Sequence, residues 1–488
     1  MSAISFLPSL PAALRSMSPA SRQPTVPTPA DAPAPSSVVN LSAAGLAAQA
    51  DDAITSPSAP GLRFQDIAAP LFATLKAGAP VAIGAAVLPR DLDNRFSLDI
   101  VTTAGTKVGL TLASRGDELL VQVQADAALA GEERDAVAAL AEGYQAAIDG
   151  LSMQPPRIKL GGLAQLASGV LASIDLDAQV TLPTVPPATQ SLAFHLDQAQ
   201  RSVALDGPAG RVDLAVRTDT PMPPGTREQQ ERAIDGYLRQ FDQATTRGHG
   251  DAALMTMFKD AFADLSRTAA SDGPATPAPT RAWLAPQDRA MLTGLADFSA
   301  TVAQAPRWDN PVRRTEVDGF EYEVAQRTQV GGASRDARAI TQSQQARLSA
   351  QFHEPLTPGA ELAFDYAAES QNYKYSTIED SATSDVELRY RDGRLLGASL
   401  RQSVRQSAHV EQYLLGRLKS EQDTPLARQL VRDLAETLQP YRAEGKDLSQ
   451  DERAERRAQV LAALGQETLL LGSTVALAAR DVRLAEAA

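Results

Sequence analysis

Runs of alternating hydrophobic and polar residues occur in two groups along the chain, and a helical pattern follows each group. The alternating runs lie at 95–103, 107–113 and 118–125 in the first group, and at 191–197, 201–205 and 211–218 in the second. An alternation with a period of two is typical of a strand with one buried face. Each group therefore predicts an antiparallel meander, closed by a helix at about 131–151 in the first group and 227–244 in the second.

The second closing helix has a clear start signal. The sequence Thr-Arg-Glu-Gln at 226–229 matches a capping box, in which two side chains satisfy backbone N–H groups that lack helical partners. Apolar stripes at helical spacing predict two more helices, one at 64–76, which Pro70 would interrupt, and one at 251–265. The two strand-and-helix groups together predict an internal repeat.

A second region of alternating runs follows a segment rich in Ala, Pro and Thr at 269–280. These runs are longer and more polar, and they lie at 320–330, 340–352, 360–375, 385–390 and 394–404. Asp392-Gly393 separates the last two runs, and Asp-Gly between alternating runs is a strong hairpin signal. We expect a large antiparallel sheet with one solvated face.

Helical signals dominate the C-terminal part of the chain. Thr424-Pro425 reads as a helix N-cap followed by proline at the first helical position, and leucines then recur every fourth residue up to Pro440. A capping box at 449–452 opens another helix to about residue 466. The apolar run at 469–479 is too short to span a bilayer, so it predicts a buried element or a partner-contacting surface.

These patterns predict an α+β fold of strand-meander and capped-helix modules, followed by a larger antiparallel sheet with C-terminal helices. The expected regions are an arm rich in Ser, Pro and Ala at 1–60, two modules at 61–155 and 156–268, a linker at 269–282, a sheet at 283–410 and a helical region at 411–488.

Composition excludes several classes of function. The net charge is −13, with 46 Lys and Arg against 59 Asp and Glu, so nucleic acid is not expected as a partner. The absence of cysteine excludes disulfides, thiolate metal sites and cysteine nucleophiles. No apolar run is long enough for a transmembrane helix, and the first residues lack the features of a Sec signal peptide. We therefore expect a cytoplasmic protein, or one exported by a route without such a peptide.

The sequence contains no recognisable catalytic, cofactor-binding or metal-binding motif. Its four histidines do not have metal-ligand spacing, and phosphate-binding loops and nucleophile elbows are absent. His195 and Asp197 are two residues apart in a predicted strand and would share a face. One alternative is therefore a hydrolase whose carboxylates and His195 meet only in the fold.

Two sets of residues are candidates for binding. The first is an aromatic surface that could hold a peptide or glycan, although packing in the core is the other interpretation: Phe364, Tyr366, Tyr373 and Tyr375. The second is a docking segment in the N-terminal arm, where Ser42 could instead cap a brief helix: Val39, Leu41 and Ser42.

The arm and the modules each resemble known proteins. The pattern Val39-x-Leu41-Ser42-x-Ala44, in a Ser/Pro-rich start with no acidic residue before Asp31, resembles segments of cysteine-free flagellar and type III-exported proteins. The strand–turn–strand–capped-helix blocks resemble uncharacterised β-rich proteins of Gram-negative bacteria. The arm, the acidic composition and the missing catalytic motif together predict a non-enzymatic interaction or structural protein of a bacterial envelope, appendage or export system, with a protein partner. The alternatives are the hydrolase and a cytoplasmic peptide- or glycan-binding module, and the oligomeric state stays open.

Overall fold

The computed structural model describes residues 64–77, 91–164, 169–219, 224–267, 286–334, 336–434 and 463–486, together with Pro89, Met222 and Leu284. All of them belong to one compact unit, Ser36–Ala488. The predicted arm at 1–60, its docking residues Val39, Leu41 and Ser42, the linker at 269–282 and the capping box at 449–452 lie outside the described residues.

The described strands form one antiparallel sheet, which confirms the predicted α+β class with an antiparallel sheet. The strands are β1 (Asn94–Thr102), β2 (Lys107–Arg115), β3 (Glu118–Ala125), β4 (Leu171–Leu182), β5 (Ala188–Leu196), β6 (Gln200–Gly207), β7 (Gly210–Arg217), β8 (Phe298–Gln304), β9 (Gly319–Gly332), β10 (Arg338–Pro355), β11 (Tyr373–Arg391), β12 (Arg394–Leu414) and β13 (Arg417–Asp433). Their order is β13-β12-β11-β10-β9-β8-β7-β6-β5-β4-β1-β2-β3. The order follows the chain except that β4 pairs with β1, so β3 and β13 are the two edges of the sheet.

Helices cover one face of this sheet. They are α1 (Ala68–Lys76), α2 (Gly131–Ala138), α3 (Ala141–Leu151), α4 (Gly161–Ala164), α5 (Arg227–Gly248), α6 (Ala252–Ser266), α7 (Pro286–Arg289) and α8 (Thr474–Glu486). As the capping signal predicts, the Thr226 side chain accepts a hydrogen bond from the Gln229 backbone N–H and starts α5. Asp251 starts α6 in the same way, through the Leu254 N–H.

The largest hydrophobic core lies beneath the helices, where the strand registers align the apolar side chains across the sheet. One buried row of directly opposed residues crosses nine strands: Val123, Leu110, Leu98, Leu176, Phe194, Val203, Leu214, Ala300 and Val324. The strands of both predicted modules and of the later predicted region thus share one sheet. We call the face of the sheet that the helices cover the helical face, and the other face the open face.

The predicted C-terminal helix after Thr424 is wrong. Residues 417–433 form β13, which pairs with β12 along its whole length. The first opposed pair, at the turn, is Leu414 with Arg417, and the last is Ser399 with Asp433. A spacing of four residues keeps side chains on one face of a strand as well as of a helix, so the leucine repeat does not distinguish the two. The backbone ladder with β12 decides the outcome, and the predicted helical region at 411–488 therefore begins with the end of β12 and the whole of β13.

Other element predictions need smaller corrections. The predicted strand at 360–375 is irregular up to residue 372, with a short 3-10 turn at Ala368–Ser370, and the strand β11 begins only at Tyr373. The predicted helix at 131–151 is two helices, α2 and α3. Sequence reasoning missed β4 and β8, although β4 carries a clear alternation, with Ile174, Leu176, Ala178 and Val180 all buried.

Candidate functional site

His195 lies on the open face, where the register places it directly opposite Asp175 of β4. Its Nδ1 is 2.6 Å from Asp175 Oδ1 and its Nε2 is 3.3 Å from Asp197 Oδ2. The hydrogen bond with Asp175 raises the pKa of His195, although partial burial opposes this, and the contact with Asp197 raises the pKa further. The predicted proximity of His195 and Asp197 is therefore present.

This arrangement suits charge neutralisation better than base catalysis. Both ring nitrogens of His195 face carboxylates, so neither is directed at Ser202, the hydroxyl residue opposite it on β6. A histidine that activates a nucleophile needs one nitrogen within hydrogen-bond reach of it. Among the described residues, no group of three His, Asp or Glu side chains has a geometry that could hold a metal ion.

A second histidine cluster is buried at the end of β10. The His353 side chain is 2% exposed, with Nδ1 2.6 Å from Asp318 Oδ1 and Nε2 3.0 Å from Glu316 Oε2. Burial by itself lowers the pKa of His353, but the two carboxylates outweigh it and raise the pKa to about 9. Arg313 lies 3.6 Å from Glu316 and stacks on the Tyr413 ring. Arg307 lies 3.6 Å from Asp318, so each of the two carboxylates contacts an arginine as well as His353.

The predicted aromatic residues divide between this cluster and solvent. Tyr373 and Tyr375 are buried and Phe364 is partly buried, and the three ring centroids lie 4.8–5.0 Å from the His353 ring. Tyr373 donates its hydroxyl hydrogen to Glu316 Oε2 at 2.7 Å. Tyr366 is 77% exposed. The four residues therefore do not form one exposed platform, and three of them pack around His353.

The helical face has a cleft of about 670 Å³ between α5 and α8. Its floor is largely apolar and consists of sheet residues that include Tyr322, Leu348 and Ala382. Arg247 of α5 and Asp380 of β11 form an ion pair in its wall. The apolar run predicted at 469–479 contributes to this region: Leu469 and Leu470 are buried, while Val475 of α8 is exposed beside the cleft.

The most exposed regular element is the edge strand β13. All residues from 417 to 429 are exposed, and within the described chain only β12 pairs with this strand. Several large apolar side chains are exposed at the same edge: Leu414, Leu415, Leu418, Leu426 and Val431. An edge strand presents one row of backbone N–H and C=O groups that no neighbouring strand satisfies.

No described helix is long and apolar enough to cross a membrane. Comparisons with protein-family models, with curated proteins and with solved structures found no match to this chain. Any function must therefore be argued from the residues and their geometry.

Proposed function

We propose that this chain is a non-enzymatic interaction or structural protein that binds a protein partner along β13. The observation that carries this proposal is the run of exposed residues at 417–429 on an edge strand. An extended segment of a partner can add to such an edge, with backbone hydrogen bonds providing affinity and side chains providing specificity.

The side chains of β13 are suited to selective pairing rather than to general aggregation. The exposed part of the strand carries Arg417, Lys419, Glu421 and Asp423, and Pro425 then interrupts the backbone donors. Charges and proline are devices by which natural edge strands reject unwanted partners. A partner strand must therefore match the charge pattern, which favours a specific interaction.

The environments of His195 and His353, two of the four histidines, support a non-enzymatic role. Both nitrogens of His195 are directed at carboxylates, and His353 is buried under aromatic rings. Neither residue offers a free nitrogen to a substrate. The hydrolase alternative would need an acid–base pair with one member open to solvent and to the reacting bond.

Position-specific photocrosslinking tests the proposed surface. A photoreactive residue at Ser420 or Gln422 of the full-length protein, expressed in its native bacterium, should give one discrete adduct with a protein. The matched control is the same residue at Gln329, which is exposed on β9. The proposal fails if positions 420 and 422 give no discrete adduct, or give the same adducts as position 329.

The association with an envelope, appendage or export system is a separate part of the proposal, and it rests on the sequence of the arm. The C-terminally tagged chain should appear in the culture supernatant or periplasm, and deletion of residues 1–60 should retain it in the cytosol. A chain that stays in the cytosol with and without the arm would overturn the export role and leave the proposed β13 interaction untouched.

A further inference from the structure

We infer that the helical face carries a binding site for an extended peptide, and that residues 463–486 of this chain occupy the site as a detachable, autoinhibitory segment. We call these residues the C-terminal segment. The site is a different surface from the edge of β13, and it is independent of the interaction proposed for that strand.

The site is built on one polar row that crosses the helical face. Four residues of the neighbouring strands β9 to β12 are directly opposed in this row, and each is at most 1% exposed: Gln326, Gln344, Ser384 and Gln402. The row from Val123 to Val324 on the same face is apolar throughout. A side-chain amide both donates and accepts hydrogen bonds, so a row of glutamines can bind the backbone of a segment that lies across it.

Strands β10 and β11 bind the middle of the C-terminal segment through their side chains. The Thr468 carbonyl oxygen accepts hydrogen bonds from Gln344 Nε2 and Ser384 Oγ, each at 2.9 Å. Gln344 Oε1 in turn accepts a hydrogen bond from the Leu470 N–H at 3.0 Å. Gln344 therefore satisfies both a carbonyl and an N–H group of the segment, as a neighbouring strand would.

Strand β12 adds further bonds to the same stretch. Gln402 Nε2 donates to the carbonyl oxygens of Glu467 at 3.2 Å and Leu469 at 3.1 Å. In the described part of the chain, no backbone-to-backbone hydrogen bond joins the segment to a strand. Leu469 and Leu470 are both buried. The segment is therefore held as a bound peptide is held, with its backbone satisfied by the site and two consecutive leucines in apolar surroundings.

The buried charge of the C-terminal segment is neutralised within the segment. Nε of Arg480, which is 5% exposed, lies 3.0 Å from Glu467 Oε2. The same guanidinium donates to the carbonyl oxygens of Gln466 and Leu469. It also donates to Gln402 Oε1 at 3.0 Å, which is a neutral acceptor. Release of the segment therefore removes the cation together with its counter-ion.

The groups that release would leave on the sheet can be solvated by water. Gln344, Ser384 and Gln402 are neutral, so water can replace the hydrogen bonds that they make to the segment. Asp481 of α8 forms an ion pair with Arg432 of β13, and both side chains are partly exposed. An unpaired buried charge is the most costly result of opening a polar interior, and release of this segment leaves none among these groups.

The chain connections allow the segment to leave while the sheet stays folded. Leu434, which follows β13, and Leu464 pack in the same hydrophobic cluster, although residues 435–462 separate them in the sequence. The chain thus leaves and returns at one place, so no strand has to move with the segment. By contrast, the loop at 293–296 accepts hydrogen bonds from Gln326 of the same row but leads directly into β8.

The cleft beside α8 gives a competing peptide access to the site. The C-terminal segment forms one wall of this cleft through residues that include Val475 and Ala479. Val475 is 75% exposed, so α8 is uncovered on this side. The ligand that fits is an extended segment of a partner protein with two consecutive large aliphatic residues, as in the present occupant. The docked C-terminal segment excludes this partner.

Thiol labelling of the full-length chain tests detachment, because the chain has no native cysteine. L470C and L214C each replace a buried leucine, the first in the segment and the second in β7. L470C should be labelled at least tenfold faster than L214C and with a weaker dependence on urea, because only the segment has to leave. Equal rates with equal urea dependence would overturn the inference. If either variant does not fold, hydrogen exchange of the unmodified chain makes the same comparison between residues 468–480 and 94–125.

A fluorescent synthetic peptide of residues 463–486 tests the binding site. The full-length variant L469S/L470S/L477S should release its own segment and keep its sheet by far-UV circular dichroism. It should then bind the peptide at least tenfold more tightly than the unmodified chain does, because the site is no longer occupied. A peptide with the same three serines is the control and should not bind.

Variants of the polar row complete this experiment. Added to the triple variant, Q344A/Q402A should weaken peptide binding at least tenfold, whereas Q345A, at an exposed position on the open face of β10, should leave it unchanged. A folded triple variant that does not bind the peptide, or that binds it equally well with Q344A/Q402A, would overturn the inference. A triple variant that loses its sheet would also overturn it, because the segment would then be an integral part of the core.

Discussion

Nδ1 of His353 lies 2.6 Å from Oδ1 of Asp318, and the imidazole is almost completely removed from solvent. The contact joins β10 to the residue that immediately precedes β9. Glu316 contacts the other ring nitrogen of His353. The two contacts together hold the segment before β9 against the open face of the sheet. A buried ion pair of this kind is costly to break from one side, because the remaining charge is left without a partner.

Protonation of His353 should make stability depend on pH. The folded-state pKa is raised from 6.5 to about 9, so folding favours the charged form. The stabilisation is fully present below about pH 6.5 and is lost as the pH rises through 9. We expect the free energy of unfolding to fall by up to about 3 kcal/mol across this window, at 1.36 kcal/mol per pKa unit. Urea denaturation at a series of pH values measures this change.

The variant H353Q should lose most of this pH dependence. H409Q is a suitable control because His409 is partly exposed and solvent screens its ion pairs. An unfolding free energy of the unmodified chain that stays constant between pH 6.5 and 9 would contradict a charged His353.

Tyr373 and Tyr366 should respond oppositely to loss of the hydroxyl group. Y373F removes the donor to Glu316 inside the buried cluster and should cost about 1–3 kcal/mol in chemical denaturation. Y366F should change stability by less than about 0.5 kcal/mol, because Tyr366 is exposed. Equal effects would show that the Tyr373 hydroxyl contributes nothing to the cluster. A test of ligand binding at these aromatics should therefore substitute Tyr366, since a change at Tyr373 also destabilises the buried cluster.

Gly210 should not tolerate a side chain. It begins β7 with φ of 140°, and a Cβ there would collide with the Ala303 carbonyl oxygen and lie 2.8 Å from the Cα of Gln304. We expect G210A to destabilise the fold by about 1–3 kcal/mol, because a backbone must move to make room. Gly397 on β12 has open space around it, so G397A is the matched control and should be nearly neutral. Equal melting temperatures for the two variants would contradict this close packing of β7 on β8.

The ion pair between Arg247 and Asp380 should anchor the C-terminal end of α5 to the sheet. Arg247 Nε lies 3.1 Å from Asp380 Oδ2, and the carboxylate is only 10% exposed. R247M should cost about 1–3 kcal/mol, because it leaves a largely buried charge with weaker partners. R239M removes an exposed arginine from the same helix and should be nearly neutral. A double-mutant cycle with D380N that shows no coupling would contradict the anchoring role.

Local signals in the sequence were sufficient for many elements. The alternation at 95–125 and 191–218 predicted strands that are present, and Asp392-Gly393 forms the predicted turn, with φ of 52° and 72° at the two residues. Thr226 and Asp251 start helices because each can satisfy a nearby backbone N–H by itself. All these features depend on residues a few positions apart.

The candidate sites were less predictable. His353 meets Asp318 and Glu316 only because β9 and β10 are neighbours, and no spacing in the sequence marks a cluster whose members are more than thirty residues apart. Among the predicted binding residues, Tyr366 and Tyr373 are similar in sequence context but opposite in exposure. The burial of each tyrosine depends on which loop covers that part of the sheet, and contacts between residues far apart in the sequence decide this.

The sequence by itself determined the two-residue alternation, the turns and the helix caps, since each is decided by neighbouring residues and their backbone preferences. Tertiary structure decided that β4 pairs with β1, that 417–433 is a strand rather than a helix, and that β13 is an edge. Leu426 and Leu430 share a face in either conformation, so the choice depended on the hydrogen-bonding ladder that β12 provides. The exposed edge on which the proposed interaction depends therefore arises only when the whole sheet is assembled.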